Sequence, residues 1–218
     1  SNSVFEGLPK DELEFIESKM VIGKYKKGKT IFSEGTFPSG IFYIINGKVK
    51  KYKANPEGKE QIIYICSSGE LFGYPALLSE EAYSDSASTI EDSVIAFVPK
   101  SDFLQVLNQS TVLSTRLLKN LSHEFAVLEN TIATFAQKSV RERLALSLLI
   151  LKEKFKDKRD KPAEINLTRE DLSNMVGTAV ETLVRLLHDF KEEKLIQTEG
   201  RKIRIIDAKA LVKIANFY

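Results

Sequence analysis

The sequence LTREDLSNMVGTAVETLVRLL occupies residues 167–187 and has the spacing of two helices joined by a three-residue turn. Thr168 can cap the first helix, with Asp171 three residues later in place of the usual Glu or Gln. Gly177 supplies the break before the second helix, because glycine is favoured just past a helix end. The stretch therefore predicts a helix-turn-helix unit.

The second predicted helix has an inner and an outer face. Its periodicity buries three leucines: Leu183, Leu186 and Leu187. Four residues then share the outer face: Val180, Glu181, Val184 and Arg185. In helix-turn-helix proteins this face enters the major groove of DNA, where an Arg can donate to guanine and a Glu can accept from cytosine. We therefore predict these four as base-reading residues. The alternative is that Glu181 and Arg185 form only an i,i+4 salt bridge on a solvated helix.

A β-hairpin is predicted after this helix, over LIQTEGRKIRII at residues 195–206. Cationic side chains lie beside its Glu199-Gly200 turn. They indicate contact with DNA phosphates, since the hairpin directly follows a groove-reading helix. The alternative is an edge hairpin whose Lys and Arg prevent aggregation. The residues predicted to contact the DNA backbone are Thr168, Arg169, Thr178, Thr182, Arg201 and Lys202.

The net charge changes along the chain. Residues 1–136 hold 14 Lys or Arg and 17 Asp or Glu, whereas residues 137–218 hold 18 and 13. The basic excess therefore coincides with the predicted helix-turn-helix. With 218 residues, 43% of them hydrophobic, the chain is long enough for two domains that fold without disulfides. Such a modest surplus predicts salt-dependent DNA affinity from a few placed cations rather than from a polybasic tail.

The first 100 residues predict an all-β roll. Eight of the eleven glycines lie between residues 23 and 73, where they separate short apolar runs such as IFYII and QIIYIC. Asn46-Gly47 is a dipeptide that favours tight hairpins, so it predicts that IFYII and KVKKY pair antiparallel. A short amphipathic helix over residues 10–19 precedes the roll.

A long helix with a stricter apolar rhythm follows the roll. Its apolar residues are spaced 3, 4, 3, 4 and 3 and form an a/d seam: Leu118, Leu121, Phe125, Leu128, Ile132 and Phe135. We predict that this seam joins two copies of the chain, since paired reading helices about 34 Å apart would match a palindromic operator. The alternative is a seam packed on the chain's own roll.

The predicted domains follow from these elements. They are a β roll over residues 1–110, a dimerisation helix over residues 111–136 and a DNA-binding domain over residues 137–218. The last of them begins with a helix over residues 140–155 and a polar linker over residues 156–162.

The sequence argues against disulfides, metal centres and catalysis. Cys66 is the single cysteine and lies in an apolar run, which predicts a buried, unreactive thiol and excludes an internal disulfide or an iron–sulfur cluster. His123 and His188 lack a second ligand at metal spacing, so we expect no haem. No nucleophile triad or P-loop is present, and we expect no enzyme.

Two further observations concern where the protein works. The sequence has no apolar run long enough for a membrane span and no signal peptide, which predicts a cytoplasmic protein without membrane contact. Ser1-Asn2 without an initiating Met looks like the remnant of an expression tag.

The chain resembles the cyclic-AMP receptor protein and FNR family of bacterial transcription regulators over essentially its whole length. The segments that carry the resemblance are GKTIFSEGTFPSGIFYIING (28–47), GELFG (69–73), EDS (91–93) with Pro99, and VETLVRLL (180–187). The reading helix is closer to the FNR branch, where Glu181 and Arg185 match the base-contacting Glu and Arg. Val180 and Val184 depart from the polar residues often found there.

The resemblance implies an α+β fold: an N-terminal double-stranded β-helix, or jelly roll, of the cyclic-nucleotide-binding kind, a long dimerisation helix and a C-terminal winged helix-turn-helix. It implies a dimeric, sequence-specific DNA-binding transcription regulator that acts on double-stranded DNA with a palindromic operator, with RNA polymerase as a further partner. An effector in the roll would shift the dimer helices and move the reading helices into or out of register with successive major grooves.

The effector site departs from the family pattern. In cyclic-nucleotide-binding members a Gly-Glu holds the ribose and an Arg-Ser pair holds the cyclic phosphate. Gly69 and Glu70 match the first pair, but Tyr83 and Ser84 stand at the second, with no Arg in SEEAYSDSAST (79–89). A buried phosphate without a cation is poorly compensated, so we expect no cyclic-AMP binding and a turn-capping role for Glu70. An unrelated effector would lie near Gly69, Glu70, Leu71, Gly73, Tyr83 and Ser84.

Two alternative hypotheses, from other functional classes of protein, stay open at this point. A small-molecule sensor that acts through a protein partner would show no salt-dependent binding to DNA. A cupin-like enzyme would need histidine ligands in the roll, and residues 1–100 contain no His.

Overall fold

The computed structural model describes residues 4–156 and 163–216. The chain divides into two compact units, residues 1–53 with 63–128 and residues 54–62 with 129–218. Ser1 and Asn2, predicted to come from a tag, and positions 157–162 of the predicted linker lie outside the described residues. Among the residues described, none of the helices combines the length and the apolar character needed to cross a membrane.

The N-terminal part is mostly strands. These are β1 (Val21–Tyr25), β2 (Thr30–Phe32), β3 (Gly40–Asn46), β4 (Lys48–Ala54), β5 (Glu60–Ser67), β6 (Leu71–Phe72), β7 (Ser86–Thr89) and β8 (Ser93–Pro99). The short helices are α1 (Lys10–Lys19), α2 (Tyr74–Ser79) and α3 (Lys100–Gln109). The glycine-separated apolar runs therefore form strands, as the composition predicted.

The strands form two four-stranded sheets, in the orders β1-β8-β3-β6 and β2-β7-β4-β5. The predicted β roll is confirmed, but the predicted hairpin at Asn46-Gly47 is wrong because β3 and β4 lie in different sheets. Gly47, with φ of +106°, is the residue at which the chain passes between them. It lies so close to Ser93 that a Cβ on Gly47 would be 2.2 Å from Ser93 Oγ.

Two hydrophobic cores hold this part of the chain together. The first joins α1 and α3 to the roll through residues such as Ile16, Ile41 and Phe103, all fully buried. The second, between the two sheets, includes Phe72 and the buried thiol of Cys66, which confirms the burial predicted for that cysteine.

The long helix α4 (Thr111–Gln137) has 27 residues and spans about 40 Å. The exposed seam residues are Leu118, Phe125, Leu128, Ile132 and Phe135, with Phe125 and Ile132 at 62% and 63% of their full accessible surface. Leu121 is half-buried and packs against the first core, so the alternative of a seam packed on the roll describes this residue but not the five exposed ones.

The C-terminal part contains the predicted helix-turn-helix. Its elements are α5 (Val140–Lys154), β9 (Ile165–Asn166), α6 (Arg169–Val176), α7 (Val180–Glu192), β10 (Ile196–Glu199), β11 (Lys202–Ile205) and α8 (Ala208–Ile214). The strands form a sheet in the order β10-β11-β9. Helix α5 begins at a capping box in which Ser139 Oγ accepts from Glu142 N and Glu142 Oε2 accepts from Ser139 N at 2.7 Å. The two-residue strand β9 and the helix α8 were not predicted.

Candidate nucleic-acid interface

The first helix of the motif begins at the predicted cap. Thr168 Oγ1 accepts a hydrogen bond from Asp171 N at 2.9 Å and donates one to Asp171 Oδ2 at 2.7 Å. The capping prediction is confirmed. The hydroxyl of Thr168 is therefore already engaged in the unbound chain, and its contact with a DNA phosphate stays a prediction.

The turn between α6 and α7 depends on Gly177. This residue has φ of +71° and ψ of +53°, the left-handed conformation that ends a helix. Its N–H donates to Ser173 O at 2.8 Å. A Cβ at this position would lie 2.4 Å from Cε1 of Phe135, so glycine is required both by the backbone and by the neighbouring ring.

Helix α7 presents the predicted outer face to solvent. Val180, Glu181, Val184 and Arg185 are all exposed, whereas Leu183, Leu187 and Phe190 are buried beneath them. Leu186, predicted to be buried, is only half-buried. In the part of the chain that the structure describes, Glu181 and Arg185 do not form the i,i+4 salt bridge that was the alternative to base reading. Both side chains are thus available to a partner in the groove.

The hairpin β10–β11 forms the predicted wing, with Glu199 paired to Lys202 across the turn. Arg169 connects this turn to α6: its Nη2 donates to Gly200 O at 2.8 Å and its Nη1 to Arg201 O at 3.4 Å. Burial lowers the pKa of the Arg169 guanidinium from its usual value. Arg169, predicted to bind a phosphate, therefore positions the wing in the unbound chain.

A carboxylate that sequence reasoning missed lies beside the wing cations. Glu164 Oε2 is 2.9 Å from Lys202 Nζ, and Glu164 Oε1 accepts from Arg204 Nε at 2.8 Å. The hydrogen bonds from Arg204 and Lys202 lower the pKa of Glu164. Lys202, predicted to contact phosphate, is thus already ion-paired within its own chain.

The predicted effector residues occupy different environments. Leu71 belongs to the first hydrophobic core, whereas Tyr83 stacks on Phe32 in the second with ring centroids 3.8 Å apart. Ser84 is exposed. Gly73, with φ of +80°, begins helix α2. A Cβ on Gly73 would lie 3.4 Å from the Tyr83 hydroxyl, so these two residues are neighbours, and the binding of an effector near the six residues stays a prediction.

Glu70 and its partner Gly69 lie where β5 ends. The Glu70 carboxylate accepts a hydrogen bond from the Tyr64 hydroxyl at 3.3 Å. Gly69 N donates to Ile44 O at 2.8 Å, and Ile44 N donates to Glu70 O at 3.1 Å. These bonds attach the Gly-Glu segment to β3, a structural role of the kind that was expected for Glu70.

The roll contains a charged cluster that was not predicted. Lys51 Nζ lies 3.3 Å from Asp85 Oδ2 and 3.9 Å from Glu124 Oε2, and the Tyr74 hydroxyl donates to Glu124 Oε1 at 2.7 Å. Burial alone would lower the pKa of Lys51, but the nearby carboxylates of Asp85 and Glu124 outweigh burial and raise it. Lys51 of β4 thus lies beside Asp85 of the segment 79–89, and two carboxylates of the same chain balance its charge.

Two family models match the chain, the cyclic nucleotide-binding domain over residues 22–110 and the Crp-like helix-turn-helix domain over residues 142–214. The chain belongs to the Crp/Fnr family of transcription regulators. Membership confirms the predicted α+β fold and the DNA-binding function, and it favours DNA over a protein partner as the target of the C-terminal motif.

Curated relatives and a solved structure support the assignment to this family. The regulator is 28% identical over 208 residues to the fumarate and nitrate reduction regulatory protein of Vibrio cholerae, which covers 94% of this chain and 82% of that protein. It is 25% identical over 214 residues to a CRP-like cAMP-activated global transcriptional regulator of Mycobacterium tuberculosis, with coverage of 97% and 96%. The structure of FixK2 from Bradyrhizobium japonicum has the same fold, with a TM-score of 0.80 at 21% identity over 89% of this chain and 96% of that chain.

Arg143 is a second residue of this Crp/Fnr regulator that sequence reasoning missed. Its guanidinium donates from Nε to Val176 O at 2.9 Å, from Nη2 to Gly177 O at 3.1 Å and from Nη1 to Lys138 O at 3.0 Å. It also lies over the Phe135 ring, 5.2 Å from the centroid. Arg143 thus satisfies carbonyls at the end of α6 that the helix leaves unpaired, and it connects the motif's turn to the end of α4.

Replacing Gly177 with alanine should destabilise the regulator. The left-handed backbone costs a residue with a side chain about 1–2 kcal/mol, and the new methyl group must also displace the edge of the Phe135 ring, which adds to this cost. Urea unfolding measures the change. Gly200→Ala is the matched control, since Gly200 has φ of +55° but open space around it, and we expect a smaller loss there. Equal losses at the two positions would contradict the contact with Phe135.

Proposed function

We propose that this regulator works as a homodimer that binds a palindromic operator, with one reading helix in each of two successive major grooves. The observation that supports the proposal is that two separate faces of the single chain are exposed. These are the reading face of α7 and the apolar residues of the α4 seam. Large exposed apolar patches on a protein mark interaction surfaces, and a two-fold dimer of such helices matches a palindrome.

Each predicted contact has a role in this proposal. Val180, Glu181, Val184 and Arg185 contact base edges, whereas Thr168, Arg169, Thr178, Thr182, Arg201 and Lys202 contact the backbone. The proposed division is a β roll over residues 1–110, a dimerisation helix over residues 111–136 and a DNA-binding domain over residues 137–218. The proposed partners are DNA and RNA polymerase, with the protein acting in the cytoplasm and without catalysis.

Selection of bound sequences from a random DNA pool tests this function directly. We expect the purified chain to enrich a two-fold symmetric sequence whose half-sites are about one helical turn apart. Sedimentation should give the mass of a dimer under the same conditions. A chain that is monomeric, or that enriches no sequence with or without added ligands, would contradict the proposal.

We also propose that cyclic AMP is not the effector, although a relative is described as cAMP-activated. Lys51 is the cation of the roll cluster, and Asp85 and Glu124 already neutralise it. A cyclic phosphate would have to displace these carboxylates and would then lie beside them. The roll therefore disfavours an anionic ligand at this position.

Cyclic AMP should accordingly leave both the melting temperature and the operator affinity unchanged. A ligand that binds the native state stabilises it by about 2.7 kcal/mol at a hundredfold excess over its Kd, a shift that thermal unfolding detects readily. Cyclic GMP and unlabelled ATP serve as comparison ligands in the same assay. A saturable rise in melting temperature with cyclic AMP alone would overturn the prediction.

A further inference from the structure

The wing carries a carboxylate whose placement serves neither base reading nor the hydrophobic core. Glu164 uses one oxygen for Lys202 Nζ, at 2.9 Å, and the other for Arg204 Nε, at 2.8 Å. The Arg204 Nη2 group binds the same oxygen as Nε. One acidic side chain thus engages two of the cations nearest the wing turn.

The three groups lie on the outer face of the wing sheet. Lys202 and Arg204 are two residues apart on β11, so both point away from the side on which Ile203 is fully buried. Glu164 directly precedes β9, which pairs with β11 through Ile165 opposite Ile203. The side chains of Lys202 and Arg204 keep 49% and 45% of their surface exposed. A phosphate at the wing would therefore meet the two cations and Glu164 together.

The ion pairs are too exposed to serve mainly as stabilisers of the fold. Exposed pairs contribute little to the free energy of unfolding, because water screens them and long side chains lose freedom. The hydrogen bonds from Arg204 and Lys202 keep the pKa of Glu164 below its usual value, so this carboxylate is ionised at neutral pH. A carboxylate and a phosphate offer Arg and Lys the same kind of acceptor, so they compete for the same donors.

We propose that Glu164 sets the strength of the wing's contact with DNA by competing with phosphate for Lys202 and Arg204. While it is in place, the three side chains together present one net positive charge instead of two. Phosphate contacts supply the sequence-independent part of DNA affinity, and each one adds about 0.9 to the salt slope. Glu164 therefore holds down binding to every DNA sequence and leaves base discrimination to α7. The inference rests on the proposed contact between the wing and the DNA backbone.

The test compares Glu164→Gln with the unchanged chain on operator and on random duplex DNA over a range of salt concentrations. We expect the variant to bind random DNA roughly tenfold more tightly at 0.1 M salt, with a slope that is steeper by about one to two. The sequence selected from a random pool should stay the same, because the reading residues are untouched. Glu164→Asp, which keeps the charge on a shorter side chain, should behave nearly as the unchanged chain.

Two controls separate competition from other causes. Glu192→Gln removes the same charge from an exposed position at the far end of α7, about 18 Å along the helix from Val180. It should leave the salt slope unchanged. Lys202→Gln should flatten the slope more in the Glu164→Gln background than alone, since Lys202 is neutralised in the unchanged chain.

The outcomes are distinct for the inference and for the proposed function. If the unchanged chain shows no salt-dependent DNA binding, the proposed function fails. If it binds DNA but Glu164→Gln matches Glu192→Gln in slope and affinity, the competition inference is wrong. A fall in melting temperature with an unchanged salt slope would instead assign Glu164 a purely structural role and would equally overturn the inference.

Discussion

Replacing Phe125 with glutamate is expected to convert the regulator into a monomer that no longer distinguishes its operator from random DNA. Phe125 is 62% exposed in the single chain and lies midway along the apolar seam of α4. In a two-fold interface every substitution occurs twice, so two buried rings are lost and two carboxylates are forced into an apolar seam.

The loss of the two buried Phe125 rings is enough to set the size of the loss in dimer affinity. Each phenyl group contributes about 1.5–3 kcal/mol when buried. Loss of both should therefore weaken dimerisation by roughly 10²–10⁴-fold before any charge repulsion is added. Sedimentation equilibrium measures the dimer constant, and fluorescence anisotropy measures operator affinity in the same samples.

Ala126→Glu provides the matched control on the same helix. Ala126 is exposed and adjacent in sequence, but it lies outside the a/d positions, so an added carboxylate there should leave dimerisation intact. A Phe125→Glu protein that remains dimeric would show that the two chains meet elsewhere. A monomeric variant that still selects the full palindrome would contradict the need for paired helices.

The parts of this fold that sequence reasoning predicted are those encoded locally. Thr168 caps α6 through a bond to a residue three positions away, and Gly177 ends the helix through its own backbone angle. The outer face of α7 follows from a 3.6-residue period within one helix. Rules of this kind depend only on residues that are close in sequence, so they apply without knowing how the rest of the chain folds.

The parts that were missed depend on contacts between distant segments. Lys51 and Glu124 are 73 positions apart, and Glu164 and Arg204 are 40 apart, so no short-range pattern brings either pair together. The hairpin predicted at Asn46-Gly47 was wrong for a related reason. The dipeptide favours a reversal of the chain, but whether the flanking strands then pair is decided by the competing partners β7 and β8.

The sequence nevertheless contains a signal for one of these contacts, the ion pairs of Lys51. Lys51 lies two residues from Val49, on the same face of β4, and Val49 is fully buried. A lysine on such an inward face must find a counter-charge. What the sequence does not supply is the identity of the partner, which here comes from β7's edge and from α4.

Replacing Arg185 with alanine should reduce operator affinity by about 1–3 kcal/mol for each half-site while leaving binding to random DNA nearly unchanged. Arg185 is exposed on the outer face of α7. Its loss should therefore cost little in the free energy of unfolding, and the effect should appear only in the complex. Anisotropy titrations on operator and random duplexes measure the two affinities side by side.

Arg201→Ala is the contrasting variant, because Arg201 lies at the wing turn and is proposed to contact phosphate rather than a base. Its loss should weaken binding to both duplexes equally and flatten the salt slope by about 0.9. For Arg185→Ala the slope should barely move, and the sequence selected from a random pool should relax at one position in each half-site. An Arg185→Ala protein that loses the same affinity on random DNA as on the operator would assign this arginine to the backbone and leave Glu181 as the polar reader of bases.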